Sequence, residues 1–227
     1  MRLKKLIIGD IKFQWKYGFY FLYVLLTIFY ILGLSLLKGN VKQITSLVMI
    51  LSDPATMGMF FMGAIVLLEK SQRVLNSIAV SPVTPQEYIL SKVCSIGIIA
   101  TVTGICIAVA GGNDHIIWTI IAVFLGSALF SLCGLIVGTN IGSLNQYVIA
   151  TMPFELAGFG PVIAYLFGSK HILITIQPCV IMFRMMQGDL NRMWIFIPVL
   201  MVWIMLAYVF ALRSTRRMLK RVGGVRL

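Results

Sequence analysis

Glu69 to Lys92 reads EKSQRVLNSIAVSPVTPQEYILSK and is the one substantial polar passage between long apolar runs. It divides into three parts. Glu69 to Val80 has a helical pattern, with Val74, Leu75 and Ile78 on one side and Lys70, Arg73, Asn76 and Ser77 largely on the other. Ser81-Pro82-Val83 stops that helix, because Pro82 disfavours helical geometry at the residue before it. Thr84-Pro85-Gln86-Glu87 then starts another: Thr84 is a cap, Pro85 suits the first helical position, and Glu87 closes a capping box. A short amphipathic helix, a tight corner and a fresh helix result. Two readings stand. Such an element lies on a membrane surface with a firm face turned to the water phase, or it is an ordinary capped loop.

Toward the N-terminus, residues 44–68 form a run long enough to cross a bilayer, interrupted by Ser52-Asp53-Pro54. Either Pro54 kinks one span, or Asp53 caps a helix that begins at Pro54. The second option leaves only 15 residues before Glu69, so one interrupted span is expected. Lys38 to Gln43 is a short turn, and residues 17–37 are the first span, with an aromatic-rich start that suits an interfacial belt. Residues 1–16 place Leu3, Ile7, Ile11 and Trp15 four apart, with Lys4, Lys5, Lys12 and Lys16 off that line. That pattern fits an interfacial helix, the alternative being a plain juxtamembrane tail.

Toward the C-terminus, residues 93–110 are the third span and 116–138 the fourth, with the turn Gly111-Gly112-Asn113-Asp114-His115 between them. Gly134, Gly138 and Gly142 are four apart and invite close approach of another helix. Residues 147–167 are the fifth span, where Pro153, Gly158, Gly160 and Pro161 argue against a continuous straight helix. Residues 169–193 are too short and interrupted to cross, which predicts a re-entrant or surface hairpin on the outer side. Residues 194–212 are the last span, and 213–227 form a strongly basic tail.

With 59% hydrophobic and 11% charged residues, the expected fold is an all-α polytopic membrane protein, one transmembrane domain over 1–227 with six transmembrane helices. Six spans place both termini on one side. Fourteen of the 19 Lys and Arg residues then share that side with the Glu69–Lys92 stretch, which predicts that it faces the cytoplasm. The net charge of +12 therefore follows membrane orientation and anionic lipid, and nucleic acid is not expected as a partner. Cys94, Cys106, Cys133 and Cys179 have neither metal-ligand nor disulfide spacing and read as packing residues. The 21-residue apolar run behind the basic N-terminus is a span rather than a signal core.

Chemistry-bearing motifs are sparse. There is no G-x-x-x-x-G-K-[ST] phosphate loop, no H-E-x-x-H and no G-x-S-x-G. His115 and His171 have no neighbour that would make either a ligand or a base. Asp53 and Glu155 each lie roughly 10–15 Å into a span, where acids usually face a bundle interior or a water-filled cavity. For Asp53, capping is the preferred reading over an acid facing the interior or a cavity. Glu155, two residues after Pro153, either lines a cavity or hydrogen-bonds a freed backbone amide while protonated. An intramembrane enzyme would need both acids together, and neither forms the relay of a proton-coupled transporter.

Glu69-Lys70 closing a span, then Arg73, Leu75, Ser81-Pro82, Thr84-Pro85, Glu87-Tyr88 and Lys92, resemble the first cytoplasmic loop of ABC-2 type permeases, the membrane subunits of ATP-binding-cassette exporters. The passage GLIVGTNIGSLNQYVIATMPF is similar to the small-residue loop of that family, and six spans with a hairpin before the last match its architecture over nearly the whole chain. Within the family, Asp53-Pro54 together with the Glu69–Lys92 stretch looks closest to small permeases described as fluoroquinolone exporters, though the drug is not carried over as a substrate.

The resemblance implies that the helix after Glu69 is a coupling helix docking on a separate cassette ATPase. No cofactor is then expected on this chain, because ATP and Mg would sit on that partner, and the chain itself would not be an enzyme. A second permease copy, identical or sister, would complete the pathway in the cytoplasmic membrane. Glu69, Lys70, Arg73, Leu75 and Ile78 are the expected docking residues, with Pro82, Pro85 and Glu87 making the corner. Tyr23, Phe60, Met62 and Glu155 are the candidate path residues for a lipophilic or amphipathic substrate, whether drug, lipid or peptide. The competing reading is a non-transport integral membrane protein, such as an immunity or signalling anchor. One departure from the family is Arg184 and Arg192 in the outer hairpin with little acid nearby.

Overall fold

The structure is a computed structural model describing residues 2–52, 56–169 and 171–222. The described residues form helices and their connections, with no strand among them. In order these are α1 (Arg2–Lys16), α2 (Phe19–Ser35), α3 (Gly39–Ile50), α4 (Met57–Ser71), α5 (Val74–Val80), α6 (Pro85–Gly111), α7 (Ile116–Asn140), α8 (Leu144–Leu166), α9 (Ile172–Thr175), α10 (Pro178–Met186) and α11 (Met193–Val222). Four of them, α6, α7, α8 and α11, are each long and apolar enough to cross a membrane. These correspond to the third, fourth, fifth and last spans read from sequence. The first span read from sequence falls on the 17-residue α2, whose axis bends by 67° from α1 at Gly18, a glycine with φ of +76°. The interrupted second span read from sequence divides into α3 and α4, of 12 and 15 residues, each alone short of the ~20 a crossing needs. Asp53 and Pro54, between them, lie outside the described residues.

Helix α7 is the central post, with α4, α6, α10 and α11 packed around it. Two apolar clusters stack along the bundle. One gathers Leu34, Leu47, Phe130 and the α10 residues, and the other gathers Tyr23, Phe61, Leu75, Tyr88, Leu132 and Met218. The α4–α7 seam is tight because Gly134 lets the backbones meet: a Cβ there would stand 2.9 Å from Met59 Cα and closer still to its carbonyl oxygen. Of the three glycines spaced four apart, Gly134 and Gly138 face α4, whereas a Cβ on Gly142 would meet nothing within 4 Å. Tyr147 of α8 fills the remaining groove, lying on Gly63 and donating its hydroxyl to Met59 O at 2.5 Å.

Two expectations change. Helix α8 is continuous over Leu144–Leu166 despite Pro153 and Pro161 inside it. Pro161 has no N–H to offer the carbonyl of Ala157, and Gln177 supplies the donor instead, its Nε2 reaching Ala157 O and Gly158 O at 3.2 Å each. The same side chain caps α10 by accepting from Val180 N at 3.0 Å. The hairpin is therefore pinned to α8, and α10 is buried along its whole nine-residue length. Arg184 sits within it, paired with Asp189 and 4.8 Å over the Phe196 ring, so the hairpin supplies the acid and α11 the aromatic partner.

Candidate functional site

The Glu69–Lys92 stretch folds as two helices and a corner, with one difference in register. Helix α4 continues through Ser71, the chain reverses at Gln72 and Arg73, and α5 begins only at Val74. Arg73 makes the break in a left-handed conformation, φ +57°, alone among the described non-glycine residues. Glu69 and Lys70 thus belong to the end of α4 rather than to the short helix. Left-handed geometry costs an L-residue roughly 1–2 kcal/mol. Arg73→Gly is therefore expected to raise stability by about 1 kcal/mol, read as a higher midpoint of thermal unfolding in detergent.

The corner itself is built as the local chemistry dictates. Thr84 N donates to Glu87 Oε2 at 2.9 Å, and Thr84 Oγ1 accepts from Glu87 N at 3.2 Å, with Pro85 in the first turn of α6. The bonds from Thr84, backbone first, hold the Glu87 carboxyl below its ordinary range. A depressed folded value means the box contributes fully above the unfolded carboxylate pKa and loses its contribution as pH falls through the lower folded value. Pro82 is exposed, and its carbonyl accepts from Arg2 Nη1 at 3.5 Å, so the first residue of α1 reaches the corner.

Beneath the corner lies an ion cluster. Lys92 is 1% exposed, and its ammonium contacts Glu69 Oε1 at 2.5 Å and Asp10 Oδ1 at 3.0 Å. Tyr88 donates to Glu69 Oε2 at 2.6 Å, and Ser91 to Asp10 Oδ2 at 2.7 Å. One turn further along, Gln14 Nε2 donates to Ser95 Oγ at 2.7 Å. A buried cation needs such compensation on every side. The cluster ties α1, α4 and α6 together immediately under the corner. It also revises the face of α1: Asp10 and Gln14 pack against α6, while Trp15, placed by spacing on the apolar line, is 72% exposed.

The remaining residues named from sequence separate into covered and open ones. Leu75 is buried in the apolar cluster with Met218, and Ile78 packs at its edge. Lys70 donates to the carbonyls of Gly138, Thr139 and Ile141 at 2.7, 3.0 and 2.8 Å, closing the C-terminal end of α7. Arg73 is exposed at the break, and Asn76, Ser77 and Val80 are exposed on the outward face of α5. The path residues are scattered. Tyr23 and Met62 are buried, Tyr23 against the Phe61 ring at 4.7 Å, while Phe60 and Glu155 are partly exposed on α4 and α8. Sequence reasoning left Asp10, Gln14 and Ser91 out of the site. An acid on an otherwise basic helix and a lysine at the mouth of an apolar run were the available signal.

No protein-family model matches the chain. Proteins from two strains of Mycobacterium tuberculosis, each named a fluoroquinolones export permease protein, are similar to it, at 24% identity over 129 residues, which is 56% of this chain and 54% of the relative. The chain spans about half the length of the curated relatives it matches. Four apolar helices of spanning length among the described residues indicate a multi-pass membrane protein.

Proposed function

We propose that the chain is the membrane subunit of an ABC-2 type exporter, driven by a separate cassette ATPase that docks on α5. Six spans are α2, α3 with α4, α6, α7, α8 and α11, with both termini in the cytoplasm of a cell-membrane exporter and α9–α10 re-entrant from the outer side. The observation that carries this reading is the seating of α5. A helix of seven residues is too short to persist alone, yet α5 is held against α4 and α11 by Leu75 beneath it while its opposite face is left exposed. Arg73, Asn76, Ser77 and Val80 are then the surface offered to the ATPase, and Glu69 and Leu75 act from below as the anchor. ATP and Mg belong to the partner, and the chain catalyses no reaction of its own. A second permease copy, identical or sister, shares the pathway. The cargo is amphipathic or lipophilic, in keeping with the apolar faces of α8 and α11 and with the export named for the two relatives.

The test is co-expression with the candidate cassette ATPase of the same genome. Asn76→Arg with Ser77→Arg is expected to lower ATPase capture and drug efflux at least roughly tenfold without changing the unfolding midpoint, because surface substitutions seldom move stability by more than about 0.5 kcal/mol. Undiminished capture and efflux in that variant removes α5 as the docking element.

A further inference from the structure

Helix α11 does not stop where its apolar part does. Leu212 is followed by Arg213, and the helix runs on to Val222 without a break. The last turns fold against α5: Thr215 and Met218 are buried, while Arg213, Arg216, Arg217, Lys220 and Arg221 are exposed. Between α5 and this extension lies a cavity of about 300 Å³, with Ile78, Val80, Val83 and Leu219 on its floor and Arg216 and Lys220 at its rim. Val80 is 85% exposed there, an apolar side chain left open among the described residues. Neither cation pairs with an acid among the described residues, whose ion pairs involve only Lys92 and Arg184 on the basic side.

We propose that this groove is a binding site for an acidic phospholipid, with Arg216 and Lys220 on its phosphate and the apolar floor under the upper acyl chain. Three features select a lipid over a soluble acidic partner. The two cations are four residues apart on one helix and so share a face that a single phosphate can bridge. At a rise of 1.5 Å per residue, Arg216 and Lys220 lie about 6 and 12 Å past Leu212, so Arg216 stands at headgroup depth for a bilayer whose polar layers add roughly 5–8 Å on each side and Lys220 just beyond it. Side chains on a helix lean toward its N-terminus, and for α11 that direction leads back to the apolar span, so both cations reach toward the bilayer. Basic pockets at the ends of membrane helices recognise anionic headgroups in this way. The proposal needs only that α11 crosses a membrane; it shares Val80 with the surface proposed for the ATPase, which a bound lipid would leave with Arg73, Asn76 and Ser77.

The purified full chain is titrated in detergent with phosphatidylglycerol and with phosphatidylcholine of identical acyl chains, and bound lipid is counted by native mass spectrometry. Phosphatidylglycerol is expected to be retained at least about tenfold better than phosphatidylcholine. Arg216→Glu with Lys220→Glu is expected to abolish that preference, whereas Arg213→Glu with Arg217→Glu, the same charge change outside the groove, leaves it within about threefold. Equal loss in both double variants overturns the site in favour of diffuse attraction. An unchanged preference in the groove variant overturns it too, and if ATPase capture falls there instead, the occupant is an acidic protein surface. Where charge reversal prevents folding, Arg216→Gln with Lys220→Gln against Arg213→Gln with Arg217→Gln answers the same question, with the same two results overturning the site.

Discussion

Lys92→Met is expected to leave little folded protein. The substitution strands Glu69 and Asp10, two carboxylates that meet the Lys92 ammonium in a nearly closed site. Removing one partner of a buried ion pair costs about 3–5 kcal/mol, because the other charge stays behind without compensation. Total stabilities of single domains are about 5–15 kcal/mol, so the loss is large. The readout is the yield of monodisperse protein and its unfolding midpoint in detergent. The companion experiment neutralises the whole cluster, Asp10→Asn and Glu69→Gln with Lys92→Met, and is expected to recover most of the midpoint. If the triple variant is as poor as the single one, the cluster acts through packing rather than charge. Glu69→Ala belongs to the same class: it is expected to cripple folding before it tells anything about docking.

Gly134→Val carries the second large effect. Its side chain would have to enter the space of the Met59 backbone, which cannot rotate away as a flexible side chain would. Overpacking of this kind costs about 1–3 kcal/mol in ordinary cores, and the upper end is expected where the obstacle is backbone. The same substitution at Gly142, where a Cβ would meet nothing within 4 Å, is expected to be nearly silent. Comparing the two unfolding midpoints checks the assignment, and equal losses would mean that α4 and α7 do not meet at Gly134.

How much of this was legible in the sequence follows from how local each signal is. The capping box was, because its four residues satisfy one another within a single turn. The amphipathic face of α5 was too, with Leu75 inward and Arg73, Asn76 and Ser77 outward. The break before α5 was not, since an arginine in left-handed geometry carries no local mark of it. Helix α8 misled for the same reason: its two prolines are visible, whereas the glutamine that makes one of them tolerable lies twenty residues from the carbonyl it serves. The ion cluster joins residues 23 and 82 positions apart, and no periodicity registers such pairs. On α1, a repeat of four drew the apolar line one residue away from the face that packs, because the inward positions Asp10 and Gln14 are polar. The docking residues named from sequence consequently divide: some hold the corner from inside, and others are left free to be touched.

Helix α11 is a single rod of 30 residues, roughly 45 Å from end to end. Near one end Phe196 carries the Arg184 guanidinium, and near the other Met218 is wedged beneath Leu75. Twenty-two residues, about 33 Å, separate those two contacts, with Pro198 close to the far end as the sole proline along the way. A rigid strut of that kind does not absorb displacement. Tilting its basic end must swing the aromatic seat of the hairpin in the opposite sense, like the two arms of a balance.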